Sequence, residues 1–161
     1  MKTSRSPEID SEAVVDAVLG ASRVLVAVAA RSLGDVAEEV TLTQYRTLVV
    51  LASRGPQSLA ELADAVDVTP PTATRMCDRL IKKGLIVRRH ERGDRRLIRL
   101  TLAKDGRELV DAVTQRRRSE IAHLMEAIPR DQQAALVDSL QRLTAAAGEV
   151  PEQDWSAGWD L

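Results

Sequence analysis

The chain has no phenylalanine, one tyrosine (Tyr45) and two tryptophans, Trp155 and Trp159, both within its last seven residues. A core without aromatics must be built from Leu, Val, Ala and Ile, a composition suited to packed helices. No aromatic platform is left on which unpaired bases could stack, which disfavours a reader of single strands or RNA. One cysteine, Cys77, excludes an internal disulfide and a cysteine zinc cluster, and it fits a reducing cytosol. The apolar run Val24–Ala30 is bounded by Arg23 and Arg31 and falls far short of the roughly 20 residues needed to span a bilayer. The N-terminus offers no hydrophobic segment of the signal-peptide kind. Also missing are a glycine-rich phosphate loop, a plausible nucleophile and base pair and a metal-ligand set, so neither an enzyme nor a cofactor is expected. The expectation is a cytoplasmic protein that does not associate with membranes.

Net charge is nearly absent too, at −1 for 161 residues, but its distribution is uneven. From Arg75 to Arg99 there are ten basic residues (Arg75, Arg79, Lys82, Lys83, Arg88, Arg89, Arg92, Arg95, Arg96, Arg99) against three acids (Asp78, Glu91, Asp94), a local net of +7. Everything outside that window therefore sums to −8. Such a separation is an electrostatic footprint for a polyanion, with double-stranded DNA the obvious candidate.

Residues 1–10 are polar and expected to be loose, and 11–35 carry a broad apolar stripe of helical period (Val14, Val18, Leu25, Ala29 and neighbours) interrupted at Gly34-Asp35. Thr41 and Gln44 read as a capping box that opens a second helix, with Tyr45, Leu48, Val49 and Leu51 or Ala52 on its buried side. That helix ends at Arg54-Gly55-Pro56. Ser58 caps a short helix with Leu59, Leu62, Ala63 and Val66. A further helix starts at Thr69, with Pro70 at its first position, where a missing N–H costs nothing. The Thr69 side chain is expected to cap the Thr72 N–H. In this helix Ala73, Met76, Cys77 and Leu80 fall on one face and turn inward, Cys77 as a packing residue. Pro71, Thr72, Arg75, Asp78, Arg79 and Lys82 are left facing out.

Gly84 ends that helix in the left-handed manner. Leu85–His90 reads as a strand, Arg92-Gly93-Asp94 as a turn, and Ile98, Leu100 and Leu102 alternate with Arg99 and Thr101 in a return strand. Residues 36–102 thus form helix, turn, helix and a two-stranded wing. From 103 to 147 come a long helix reaching about Ile128, with the stripe Leu109, Val113, Ile121, Leu124, Met125, Ile128, and a last helix after Pro129 with Leu136, Val137, Leu140 and Leu143. Arg116-Arg117-Arg118 reads as a solvated helix face, with lining a ligand cavity or touching DNA as the lesser alternatives. Residues 148–161 form an acidic tail in which the two tryptophans are expected to be partly ordered. His90 and His123 have no third ligand nearby and read as wing and packing residues.

These residues resemble the MarR family of bacterial transcription regulators over about residues 11–147. The most specific part is Asp94-Arg95-Arg96 followed by Leu102 and Gly106, which is similar to the family's wing motif. Leu59-Ala60-Glu61-Leu62-Ala63, Thr69–Arg75 and Arg79–Ile86 support it in order and spacing. One departure is Ala103, where the family usually has a Thr that caps the next helix; Thr101 or Asp105 is expected to compensate. The resemblance implies a mainly α (α+β) fold: a winged helix-turn-helix DNA-binding domain with a helical dimerisation region formed by the N- and C-terminal helices. It also implies a homodimer whose recognition helices enter the major groove and whose wings enter the minor groove.

On that reading the first turns of the recognition helix carry the discrimination. Thr69, Thr72 and Thr74 offer methyls and hydroxyls, Pro71 offers its ring to thymine methyls, and Arg75 is placed to bond guanine or a phosphate. Arg79 and Lys82 are placed for phosphates, which set register without reading bases. Arg92, Arg95 and Arg96 belong to the wing, Arg92 and Arg95 suiting a narrow minor groove, while Asp94 and Gly93 shape the turn, Asp94 by pairing with Arg96 or capping. The expected function is a repressor occupying a pseudo-palindromic operator as a homodimer, with a small-molecule effector or stress signal as the means of release. The competing reading is a winged-helix module for protein contacts with no specific DNA site.

Overall fold

Asp10 accepts the Glu12 N–H through its carboxylate (3.1 Å) and so starts α1, Ser11–Leu33. The structure is a computed structural model that describes residues 10–34, 36, 40–91, 94–152 and 154–155, with the backbone alone at 91 and 94–96. Gly34, at φ 51°, ends α1. Only its last third is buried, at Val28, Ser32 and Leu33, where it lies on a later helix, α5. By length and composition α1 is the one helix among the described residues that could cross a membrane. That reaches well beyond the seven residues singled out from the sequence.

The capping box of Thr41 and Gln44 is present in both directions (3.2 and 3.0 Å) and opens α2, Leu42–Arg54. Burial runs from Gln44 to Ala52 with Arg46 the one half-exposed side chain, so α2 is a central helix rather than the one-sided one its pattern suggested. Ser58 caps α3, Leu59–Ala65, and Glu61 completes a second box by accepting the Ser58 N–H at 2.7 Å. The turn to the next helix passes through Asp67 at φ 53°, with the Val68 N–H donating to the Ala63 carbonyl at 3.0 Å. A left-handed residue just past a helix end satisfies the last carbonyls in this way, and Asp tolerates the conformation better than branched residues do.

Helix α4, Pro70–Lys82, begins at Thr69 with prolines at its first two positions. The expected Thr69 cap does not form: its hydroxyl pairs with the Thr72 hydroxyl at 3.0 Å instead. Pro71 has removed one of the two donors a cap oxygen would seek, and the Thr72 hydroxyl engages the oxygen in place of the other. Gly84, at φ 71°, closes the helix as expected. Strands β1, Ile86–Glu91, and β2, Asp94–Leu102, pair antiparallel from Ile86–Leu102 to His90–Ile98, with an irregularity after His90. Gln57 adds a short third bridge by exchanging both backbone hydrogen bonds with Leu100 (3.0 and 2.7 Å). Leu100 and Leu102 are buried, whereas Ile98, expected beside them, is half exposed because the wing has by then passed the edge of the core.

Helix α5, Lys104–Met125, starts at Ala103 without a side-chain cap. Thr101 does not compensate, since its hydroxyl is buried with no partner among the described residues; Asp105 sits in the first turn, where its charge suits the helix dipole. The helix stops three residues before Ile128. Its last amides, Ala127 and Ile128, bond three residues back, to Leu124 and Met125, as the chain tightens before Pro129. Its buried face is Gly106, Val110 and Val113; of the expected stripe Val113 is buried and Leu109 packs partly buried against the core, while Leu124 is exposed. Helix α6, Arg130–Ala146, buries none of its residues.

The core joins Leu33, Val40, most of α2, Leu62, Met76, Leu80, Ile86 and Leu100 to Val110 and Val113. It fixes α4 and the base of the wing on α2 and α5.

Candidate nucleic-acid interface

Ala73, Met76, Cys77 and Leu80 point into the core from α4, and Cys77 and Leu80 have no exposed surface at all. Burial pushes the Cys77 thiol up, with the neighbouring Asp78 adding to the effect, so this sulfur is a packing atom rather than a reactive one. Locking that face leaves Thr69, Pro70, Pro71, Arg75, Arg79 and Lys82 fully out, with Thr72 and Thr74 half exposed. The Thr74 hydroxyl donates back to the Pro70 carbonyl (3.0 Å), which turns its methyl rather than its hydroxyl outward. Arg75, Arg79 and Lys82 have no ion pair among the described residues. The structure therefore brings the residues singled out on this helix onto one exposed, cationic face.

Among the described residues, two of these basic side chains are engaged elsewhere. Arg88 bonds Asp78 of α4 at 2.6 Å, and Arg99 bonds Glu61 of α3 at 2.5 Å. These pairs tie both strands of the wing to both helices of the helix-turn-helix. Hydrogen bonds from the Ser58 backbone and hydroxyl, with Arg99 beside it, hold the Glu61 carboxyl below its ordinary range. The direction of Arg88 was readable: it lies two residues from buried Ile86, so strand alternation sends both to one face. Arg89 falls on the other face and is exposed, as is Lys83 just past α4. Both extend the cationic surface, and neither stood out in the sequence from its charged neighbours.

Arg92 and Gly93 lie outside the described residues. Asp94, Arg95 and Arg96 are placed in β2 by their backbone, and the expected Asp94–Arg96 pairing concerns side chains outside the description. Among the described residues no group of His, Cys, Asp and Glu could hold a metal ion. His123 faces Glu126 at 3.3 Å on the surface of α5.

The arginine triplet of α5 divides between the two readings the sequence offered. Arg116 reaches the Ser32 and Leu33 carbonyls at 3.4 Å, Arg117 lies over the Tyr45 ring at 5.5 Å, and Arg118 pairs with Glu152. Because α5 packs against α1 and α2 at this level, Arg117 is drawn in beside Tyr45, whereas Arg116 and Arg118 stay exposed, as on a solvated face. A cavity of about 360 Å³ opens here, lined by Ala29, Leu42, Tyr45, Arg46, Val49 and Arg117 among others. Burial pushes the Tyr45 phenol up, opposed by its hydrogen bond to Thr114 (3.4 Å) and by Arg117.

A protein-family model described as the MarR family matches residues 40–98. Over 119 residues the chain is 29% identical to the HTH-type transcriptional repressor MdtR of Bacillus subtilis (strain 168), covering 74% of this chain and 77% of that protein. Among solved structures it is similar to RV1404 from Mycobacterium tuberculosis, at 41% identity with a TM-score of 0.79, covering 89% of this chain and 98% of that one. It also matches a MarR family protein from Bacillus stearothermophilus at 20% identity and a TM-score of 0.70, covering 88% of this chain and all (100%) of that one.

Proposed function

Because the chain belongs to the MarR family of transcriptional regulators, whose members bind DNA through a winged helix, we propose that it is a repressor that occupies a pseudo-palindromic operator as a homodimer in the cytoplasm. The observation that carries this is the outward face of α4, where Thr69, Pro71, Thr72, Arg75, Arg79 and Lys82 stand exposed while the opposite face is locked into the core. Thr69, Pro71, Thr72 and Thr74 meet base edges and thymine methyls in the major groove, and Arg75 bonds guanine or phosphate. Arg79 and Lys82 bond phosphates. Arg92, Arg95 and Arg96 follow the minor groove from the wing, whose turn Gly93 and Asp94 shape.

The dimer is supported by what is left uncovered. Val14, Val15, Val18, Leu19, Leu25 and Val26 on α1 are each about half exposed, as are Val137, Leu140 and Leu143 on α6. Exposed apolar side chains in this number on two helices are what obligate interfaces cover. On this division residues 11–35 and 103–147 form the dimerisation region and 36–102 the DNA-binding domain. The cavity between α1, α2 and α5 lies where these regions meet, a suitable seat for a small effector that prefers one spacing of the two recognition helices.

Footprinting on the DNA upstream of its own gene, repeated with Arg75→Ala, tests the reading. A protected site about two helical turns long that the variant loses supports it. Protection nowhere, or protection indifferent to Arg75, overturns it.

A further inference from the structure

The acidic tail, expected to be only partly ordered, is docked on the body of the protein at Gly148, Glu149 and Glu152 and again at Trp155, while Trp159 lies outside the described residues. Its start is fixed by backbone chemistry. Gly148, at φ 70°, ends α6; its N–H donates to the Ala145 carbonyl and the Glu149 N–H to the Thr144 carbonyl, both at 3.0 Å, the paired bonds of a left-handed helix end. That turn brings the chain to α2. The Gly148 carbonyl accepts from Arg54 at 3.4 Å, and the Glu149 carboxylate takes both terminal nitrogens of Arg46. Glu152 pairs with Arg118 of α5. The Trp155 ring packs against the hydrophobic core, its indole N–H donating to the Val150 carbonyl at 3.0 Å.

Little else in the subunit holds α6. It buries none of its residues, and it joins α5 through an elbow at residues 126–129 beside an open groove lined by Ala122, Met125, Ile128 and Gln133. An elbow with so little packing bends at low cost. The tail closes a triangle over it, because the far end of α6 is tied back to α2. From α2 the connection continues to α4: Thr47, next to Arg46, is fully buried, and its hydroxyl lies 3.4 Å from the Met76 sulfur.

We propose that the tail contacts of Gly148, Glu149, Glu152 and Trp155 form a clasp that braces α6 against α2 within one subunit and so fixes the separation of the two recognition helices in the dimer. The clasp rests on the dimer and operator reading given above and adds to it what sets the half-site spacing. A dimer bound to half-sites at another separation must bend the elbow, which in the yielding subunit breaks both ion pairs. Each exposed pair contributes a factor of roughly two to five, so the two together weigh about tenfold against a wrong spacing.

The experiment uses the full-length chain with a nitroxide label at Asp64→Cys, an exposed position on α3 away from the cationic face; the native Cys77 is buried and stays unlabelled. Pulsed electron paramagnetic resonance then reads the distance between the two labels of a dimer without DNA. The parent gives one narrow distribution, and Glu149→Gln, Glu152→Gln and Trp155→Ala together broaden it. Arg142→Gln, which removes an ion pair internal to α6, leaves it narrow. On duplexes whose half-sites stand one base pair further apart, the preference for the native spacing falls about tenfold in the Glu149→Gln, Glu152→Gln variant. An unchanged distribution in the triple variant, or an unchanged spacing preference, overturns the clasp. Broadening by Arg142→Gln also overturns it, because the width then reports α6 itself and not its anchor. Should the distribution broaden as expected while the parent binds no operator, the clasp stands and the DNA reading fails. A parent that is monomeric by light scattering fells both.

Discussion

Replacing Gly106 by alanine adds one methyl group where α5 leaves the wing. In an open helix that change is favourable by about 1 kcal/mol, because glycine loses more backbone freedom on folding. Here a Cβ would run into the backbone carbonyl of Leu85, and it would also stand 3.2 Å from Leu102 Cδ2. Backbone cannot swing aside as a flexible side chain can, so α5 must move away from the start of β1. Overpacking of this kind costs about 1–3 kcal/mol. The same carbonyl accepts the Ala103 N–H at 3.0 Å, the bond that stands in for a side-chain cap at the start of α5. Losing it costs about another 1 kcal/mol, which offsets the helical gain. The net expectation is destabilisation by about 1–3 kcal/mol. With a urea slope of about 2 kcal/mol per molar, the midpoint falls by about 0.5–1.5 M. Urea unfolding followed by circular dichroism at one fixed protein concentration measures it, since dimer stability depends on concentration. A Gly106→Ala protein as stable as the parent, or more so, would refute the close approach of α5 to β1.

Arg75→Ala is expected to weaken operator binding by about 1–3 kcal/mol, read by fluorescence anisotropy; an unchanged affinity would remove Arg75 from the interface. With about four phosphates engaged per subunit, the slope of log K against log salt is expected near roughly −7, and a slope close to zero would contradict an electrostatic footprint. Asp67→Gly relieves a left-handed residue and should raise stability by about 0.5–1 kcal/mol in thermal unfolding, whereas a lower stability would mean that the Asp side chain holds the turn. Glu61 has a lowered pKa in the folded state, so its stabilisation is complete above the ordinary carboxylate range and disappears as pH falls through the lowered value. Glu61→Gln should thus be less stable than the parent at neutral pH and equal to it in acid; a gap that persists in acid would assign the effect to something other than the charge.

Most of the fold was legible because it rests on local signals. The Thr41–Gln44 box, Ser58, Pro70 and Gly84 each mark a boundary by backbone chemistry that operates within a turn, and each stands where expected. What escaped depends on distant packing. The depth of α2, the exposure of Ile98 and the burial of Gly106 follow from which elements meet, and no periodicity within a segment reports that. The outward face of α4 was readable from one helical repeat, since four inward residues fix the direction of the others. The engagement of Arg116, Arg117 and Arg118 was not, because their partners lie on α1, α2 and the tail. Charge type alone cannot separate a cation facing water from one bonded to another helix.

The pairs Arg88–Asp78 and Arg99–Glu61 give dissolved ions a second target. Screening acts on them as it does on attraction to a duplex, so concentrated electrolyte loosens the hinge of the protein's arm while it weakens that arm's grip. Affinity should then fall faster than counterion release alone prescribes, and a logarithmic plot against ionic strength should bow downward at its upper end instead of remaining straight.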